Sequence, residues 1–197
     1  MKFDLPGWMD QVEASKAWFR RRVLPLSLEQ LRWRPGPRHW SIAECLDHLN
    51  ITLGVYLAKI DDAIALAPSG GERSSNGERS EFDALKQVEP PVTVPVAAPP
   101  ALIPAPAVDP DYLVDSFHQR RDRYADAVRR GFGLDLPRIV IVEPVDPLIR
   151  TLGGALAFLA AHDRRHMWQA EQVRRASRFP NHYAVRLHGK EYSIHER

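Results

Sequence analysis

The stretch HDRRHMWQ, residues 162–169, sets His162 and His166 four residues apart. On a helix that spacing brings two imidazoles to one face, ~5–6 Å apart at Cβ. From there both rings can converge on one ion at ~2.0–2.1 Å. A third imidazole, His48 in WSIAECLDHLN, comes from a distant part of the chain. Three protein nitrogens leave a coordination position open, the arrangement of a catalytic rather than a structural metal centre. Such a set suits Zn, Ni, Cu or Fe, with Zn or Ni expected here. The competing reading is a group of interior histidines satisfied by side chains or water, since unpaired polar groups are costly to bury.

Other residues near these motifs carry chemistry too. Asp163, beside the first histidine of the pair, is the candidate catalytic proton carrier. It could equally orient a ligating imidazole by bonding its second ring nitrogen. HDRRH also invites comparison with the H-E-x-x-H of metallopeptidases, where the glutamate is the general base. Aspartate is shorter and the context is a helix bundle, so peptidase chemistry is disfavoured. Asn50 and Gln169 are candidate contacts to a ligand or to substrate, or else ordinary hydrogen-bonding residues on a helix side. Cys45 lies one turn before His48 and a nucleophilic Cys–His pair is conceivable, though a small core residue is the preferred reading. Trp33, Trp40 and Trp168 line a pocket or fill the core, with core favoured. His118 reads as a surface residue, and His182, His188 and His195 as tail residues without ligand spacing.

These side chains need elements to position them, and four segments have helical periodicity. The first runs from about Gly7 to Val23, with Trp8, Val12, Trp18 and Phe19 available for burial. The second starts at Ser41, where SIAE is a capping-box pattern. Its apolar row is Ile42, Leu46, Leu49, Leu53, Tyr56, Ile60, Ala63 and Ala67. The third runs from about Pro110 to Arg130, with Asp109 as cap and proline in its first turn. The fourth runs from about Pro147 to Arg178, with an inward row of Leu148, Leu152, Ala155, Leu159, His162, His166, Gln169 and Val173. Steps of four and three mark a bundle seam, and the histidines occupy places where the seam calls for leucine.

Between the second and third helices, PPVTVPVAAPPALIPAPAVDP (90–110) excludes helix and reads as an extended connector. PSGGERSSNGERS (68–80) reads as a loop. RIVIVEPV (138–145) is a candidate short strand, and HYAVRLHGKEYSIHER a hairpin turning at Gly189. The expected fold is therefore all-α: a four-helix bundle with a long proline-rich crossover connector over residues 1–178, and a tail at 179–197.

Composition narrows the function classes. The chain has 197 residues, of which 44% are hydrophobic and 26% charged, ordinary values for a globular protein. The formal net charge of +2 gives no electrostatic case for nucleic acid or an anionic membrane. No apolar run approaches the ~20 residues of a membrane span. One cysteine excludes an intramolecular disulfide, so a reducing cytoplasmic setting is expected.

The order of the parts resembles a known family. An N-terminal helix, then W-S-I-A-E-x-x-x-H-L (Trp40 to Leu49), a proline-rich connector and H-D-x-x-H-x-x-Q (His162 to Gln169) is similar to the DinB-like (DinB/YfiT-like) metalloenzyme superfamily. The resemblance covers roughly Gly7 to Ala176. It implies a four-helix bundle, often a homodimer, with a divalent metal on three histidines, here His48, His162 and His166. It extends to thiol-dependent S-transferases and isomerases, implying a small-molecule substrate and a low-molecular-weight thiol. The chain departs from the pattern in EPVDPLIRTLGG, which has no histidine where many relatives carry a His-Pro pair. Two functions follow as expectations: a metal-dependent transferase or hydrolase that activates water or a thiol, or a non-catalytic dimeric bundle that binds metal or a protein partner.

Overall fold

The computed structural model describes residues 3–67, 85–92, 97–105, 109–141, 151–180, 183–187 and 190–194. Helix α1 spans Leu5–Arg22. Asp4 caps it by accepting from the Gly7 N–H at 3.0 Å, so it starts slightly ahead of the Gly7 read from the sequence. Helix α2 is a single short turn, Leu28–Arg32, held by a capping box between Ser27 and Gln30. It was not expected, although SLEQ carries the same S-x-x-Q signature as a box. Helix α3 spans Ile42–Ala65 and opens with the expected box on Ser41 and Glu44. Arg34 clamps the Glu44 carboxylate from outside, with its Nε at 2.8 Å. Helix α4 spans Pro110–Arg130, the predicted range, with Asp109 as its cap. Helix α5 spans Leu152–Arg174 and is capped by Thr151. It is shorter than the 147–178 expected, and residues 147–150 lie outside the described residues.

Helix α3 packs on α4 and α5, and α1 packs on the same two, so α1 and α3 sit across the bundle from each other. The long connector lets consecutive helices α3 and α4 become neighbours. It is not wholly extended: Pro100–Leu102 forms a 3-10 turn, which needs no N–H from its prolines. The 68–80 loop lies outside the described residues. Of the candidate strand at 138–145, the described part makes one isolated bridge, Val140 opposite Thr151, and residues 142–145 lie outside. In the tail, β1 (Tyr183–Leu187) pairs antiparallel with β2 (Lys190–Ile194). No helix among the described residues is long and apolar enough to cross a membrane.

The core divides into two apolar clusters, one toward each end of the bundle. One gathers Trp8, Val12, Leu53, Tyr56, Ile60, Tyr124, Val128, Leu152 and Leu156. The other gathers Phe19, Ile42, Cys45, Leu46, Phe117, Ala170 and Val173. Between them each of the four long helices carries buried polar residues: Ser15 on α1, His48 and Asn50 on α3, Arg121 on α4, and His162, Asp163 and His166 on α5.

Half of this polar layer is a hydrogen-bonded ion-pair network. Arg121, 1% exposed, pairs through Nη2 with Asp163 Oδ1. Its Nη1 reaches Asn50 Oδ1 at 3.4 Å and the Phe117 carbonyl at 3.3 Å. The guanidinium carbon stands 3.3 Å over the Phe117 ring, a desolvated cation–π contact. Ser15 donates to Asp163 Oδ2, and Asn50 Nδ2 donates to Ser116 Oγ at 2.8 Å. The network thus ties all four long helices at one level.

Removing one member strands the other's charge in the interior. Asp163→Ala is expected to lose about 3–5 kcal/mol of stability, the cost of an uncompensated buried charge. The double variant Arg121→Met/Asp163→Leu should recover most of it, because a packed apolar pair avoids the desolvation penalty. Urea midpoints of the three proteins measure this. Equal losses in the single and double variants would show that the stranded Arg121 charge is not the source of the loss.

Candidate metal centre

The other half of the polar layer is the histidine cluster. His48 lies two turns into α3, behind the Ser41 cap that fixes where that helix begins. His162 and His166 lie one turn apart on α5, whose buried residues ahead of them include Ala157, Ala160 and Ala161, and α3 packs against this helix. All three are buried, His48 at 3% exposure. His48 Nε2 stands 3.1 Å from His162 Nε2, and His166 Nε2 stands 3.2 Å from the same atom. The candidate ligand atoms of all three lie within 4.8 Å of one another.

The second ring nitrogens of His48 and His166 are taken. His48 Nδ1 donates to the Leu102 carbonyl at 2.7 Å. His166 Nδ1 donates to Gln169 Oε1 at 2.9 Å. A carbonyl can only accept, so these bonds place the proton on Nδ1 and leave an Nε2 lone pair aimed into the cluster. His162 Nε2 carries at most one proton, which cannot serve two lone pairs equally well. A cation at the centre suits this arrangement better than a proton does. Two imidazoles bound at ~2.0–2.1 Å to a tetrahedral ion stand about 3.4 Å apart, close to the separations seen. The donor set therefore fits a divalent metal, with outer bonds of the kind that orient metal-binding histidines.

Electrostatics agree. Burial pushes His162 and His166 well below the ordinary imidazole range, with the neighbouring histidines and Arg165 adding to the shift. Burial lowers His48 as well, against the opposing pull of its Leu102 bond. Neutral imidazoles are the ligand form, so protons compete weakly with a metal at neutral pH.

Aromatic rings wall the cluster. Trp40, half-buried, lies with its ring centroid 4.8 Å from that of His48 and 5.9 Å from that of His166. Phe158 lies 5.1 Å from His162. Trp33 instead packs edge-on to Phe179, away from the histidines, and Trp168 is half-exposed on α5.

The structure brings together His48, His162, His166 and Gln169. It gives Asp163 and Asn50 to the neighbouring network: Asp163 is engaged by Ser15 and Arg121, and Asn50 by Ser116 and Arg121. Neither is bonded to a histidine. Cys45 is fully buried among apolar side chains, and burial pushes its thiol far above its ordinary range, so it cannot act as a thiolate nucleophile. His118 is half-buried against Phe19 rather than on the open surface. His182, His188 and His195 lie outside the described residues. Sequence reasoning missed the Leu102 carbonyl. A main-chain acceptor leaves no residue signature, and the sole hint was a proline-rich segment long enough to cross the bundle.

The lowered histidine values set a pH dependence for the metal-free protein. Folded-state values below the unfolded value of about 6.5 mean that the unfolded chain binds protons first. The histidines' stabilising contribution is present above that pH and is lost as pH falls below it. The urea midpoint of metal-free protein should therefore decline from pH 7 toward pH 5, and His162→Leu should flatten that slope. A midpoint constant over this range would contradict the buried, neutral state of the cluster.

A comparison with known proteins gives a family and nothing narrower. No curated protein and no solved structure matches the chain. The model of the DinB superfamily matches residues 11–170, a span that contains all three clustered histidines. The chain belongs to the DinB superfamily.

Proposed function

We propose that the protein is a divalent-metal-dependent enzyme, with Zn or Ni held by His48, His162 and His166, that activates water or a low-molecular-weight thiol against a small-molecule substrate. The observation that carries this is the convergence of three Nε2 atoms, two of them held in the ligand tautomer by outer bonds. When bound, the ion supplies Lewis acidity, drawing the pKa of a water or a thiol down toward neutrality.

The chain's own residues do the rest. Among the described residues the cluster contains no carboxylate. Its neutral imidazoles suit a borderline metal rather than Mg or Ca, which prefer oxygen. An uncharged donor set also leaves the ion's full positive charge in the site, which favours an anionic partner such as a thiolate. The Leu102 carbonyl and Gln169 orient two of the rings. Trp40 lies against His48 and His166, and Phe158 against His162, which shields the rings from water. Asp163, held by Arg121 and Ser15, serves by fixing α5 against α1 and α4 rather than by carrying protons. The reaction classes this supports are thiol S-transfer and hydrolysis.

Elemental analysis of protein purified without a histidine tag tests the reading. The wild type should hold about one divalent ion per chain, as a three-histidine centre does, and His48→Ala/His162→Ala should hold none. Loaded wild type is then assayed for transfer of small thiols to electrophiles and for ester and amide hydrolysis. No metal in either protein, even after incubation with Zn or Ni, would remove the chemistry on which the enzyme reading depends. Stoichiometric metal saturated by protein groups, with neither activity, would favour a non-catalytic metal-binding bundle.

A further inference from the structure

The connector crosses the bundle at the histidine cluster, and its composition makes the crossing stiff. Prolines at 99, 100 and 104 have fixed φ and no N–H. In residues 99–105 the remaining donors belong to Ala101, Leu102, Ile103 and Ala105. Leu102 and Ile103 direct theirs to the Pro99 and Pro100 carbonyls, at 2.9 and 3.4 Å, closing the 3-10 turn. The Ala105 N–H instead reaches Asp47 Oδ2 at 3.0 Å. Three residues earlier on the same strap, the Leu102 carbonyl accepts from His48 Nδ1. Two adjacent residues of α3 therefore grip one strap, Asp47 by accepting from it and His48 by donating to it. Asp47 is 4% exposed and so is Leu102; Pro104, between the two attachment points, is buried as well. A carboxylate this deeply buried calls for a purpose beyond solubility.

The consequence falls on His48. A neutral imidazole has two tautomers, and the partner of one nitrogen decides which nitrogen is left as a lone pair. With the Leu102 carbonyl in place, the proton sits on Nδ1 and Nε2 faces His162. If the strap lifts, both the tautomer and the ring rotation become free. The stiffness between residues 102 and 105 means that anchoring one point anchors the other.

We propose that Asp47 is a positioning residue for the metal centre: by holding the Ala105 N–H it keeps the Leu102 carbonyl against His48 Nδ1, fixing the tautomer and orientation of that ligand. This rests on the metal reading above, and it makes the proline-rich strap a working part of the centre. Outer bonds of this kind, when lost, weaken metal binding by roughly 10–100-fold.

The test uses the full chain in four forms: wild type, Asp47→Ala, Asp47→Asn and Ala105→Pro. Asparagine keeps an acceptor oxygen without the charge. Ala105→Pro removes the same N–H from the strap side and leaves α3 intact. Nitrogen-detected histidine NMR of the metal-free proteins reads the His48 tautomer, and titration with cobalt(II) reads affinity and the ligand-field spectrum. The expected result is a single Nδ1–H tautomer in wild type and Asp47→Asn. Asp47→Ala and Ala105→Pro should mix tautomers, lose roughly 10–100-fold in cobalt affinity and show an altered spectrum. An unchanged tautomer and affinity in Ala105→Pro would overturn the proposal, as would Asp47→Asn behaving like Asp47→Ala, which would assign the effect to charge alone. If Asp47→Ala does not fold, Ala105→Pro decides. If wild type takes up no cobalt, the metal reading fails, and the tautomer measurement still decides whether Asp47 positions His48.

Discussion

The buried charge pair between Arg121 and Asp163 is the constraint around which the bundle is arranged. A guanidinium at 1% exposure is tolerable only if every neighbouring helix offers it something. Here α5 supplies the carboxylate, α3 the Asn50 amide oxygen, α4 its own Phe117 carbonyl and ring, and α1 the Ser15 hydroxyl that shares Asp163. None of these partners can move by half a turn without leaving a polar atom unpaired. The apolar clusters on either side supply the burial energy, but apolar side chains tolerate sliding far better than a charge pair does. The polar layer specifies alignment where the apolar layers specify only proximity.

That alignment is what the histidines need. A metal centre built on two helices works only if both hold their depth to a fraction of an ångström. His162 and Asp163 are consecutive on α5 and diverge by about 100° around it. One residue enters the histidine cluster while the next enters the ion-pair network. On α3 the same division falls between His48 and Asn50. Each of the two helices that carry the clustered histidines is therefore also held, within two residues of one of them, by the network. The strap adds a third attachment, from outside the bundle, to the one histidine that has no helical neighbour in the set.

Much of this was legible in the sequence, for identifiable reasons. Helix α4 was read closely because Asp109, Pro110 and the run to Arg130 are all local signals. The start of α3 was equally clear from SIAE. The three clustered histidines could be read because two stood in a seam at positions meant for leucine, and the third stood in the W-S-I-A-E-x-x-x-H-L motif at the flank of the α3 row. What was not legible was long-range. Nothing local tells Asp163 to prefer Arg121 and Ser15, 42 and 148 residues away, over the histidine beside it. Nor could the strap's carbonyl be foreseen, since a backbone atom has no letter. The connector was read as extended because prolines exclude α-helix, which is right as far as it goes, but a 3-10 turn of proline, alanine and leucine escapes that rule.

A buried ion pair is an expensive way to hold four helices together, and apolar residues of the same volume often do so more stably. Its presence beside the ligands is better understood through the errors it prevents. Slipping α5 by one turn moves it about 5.4 Å along the bundle and would still bury alanines and leucines, because the seam repeats. The same slip takes His162 and His166 out of reach of His48 and takes Asp163 away from Arg121. With an apolar pair in the network's place, the slipped bundle would lose its histidine cluster at little cost in packing. With the ion pair present, the slip strands two charges in the interior, so the arrangement that assembles the three imidazoles is also the one in which the charges are satisfied.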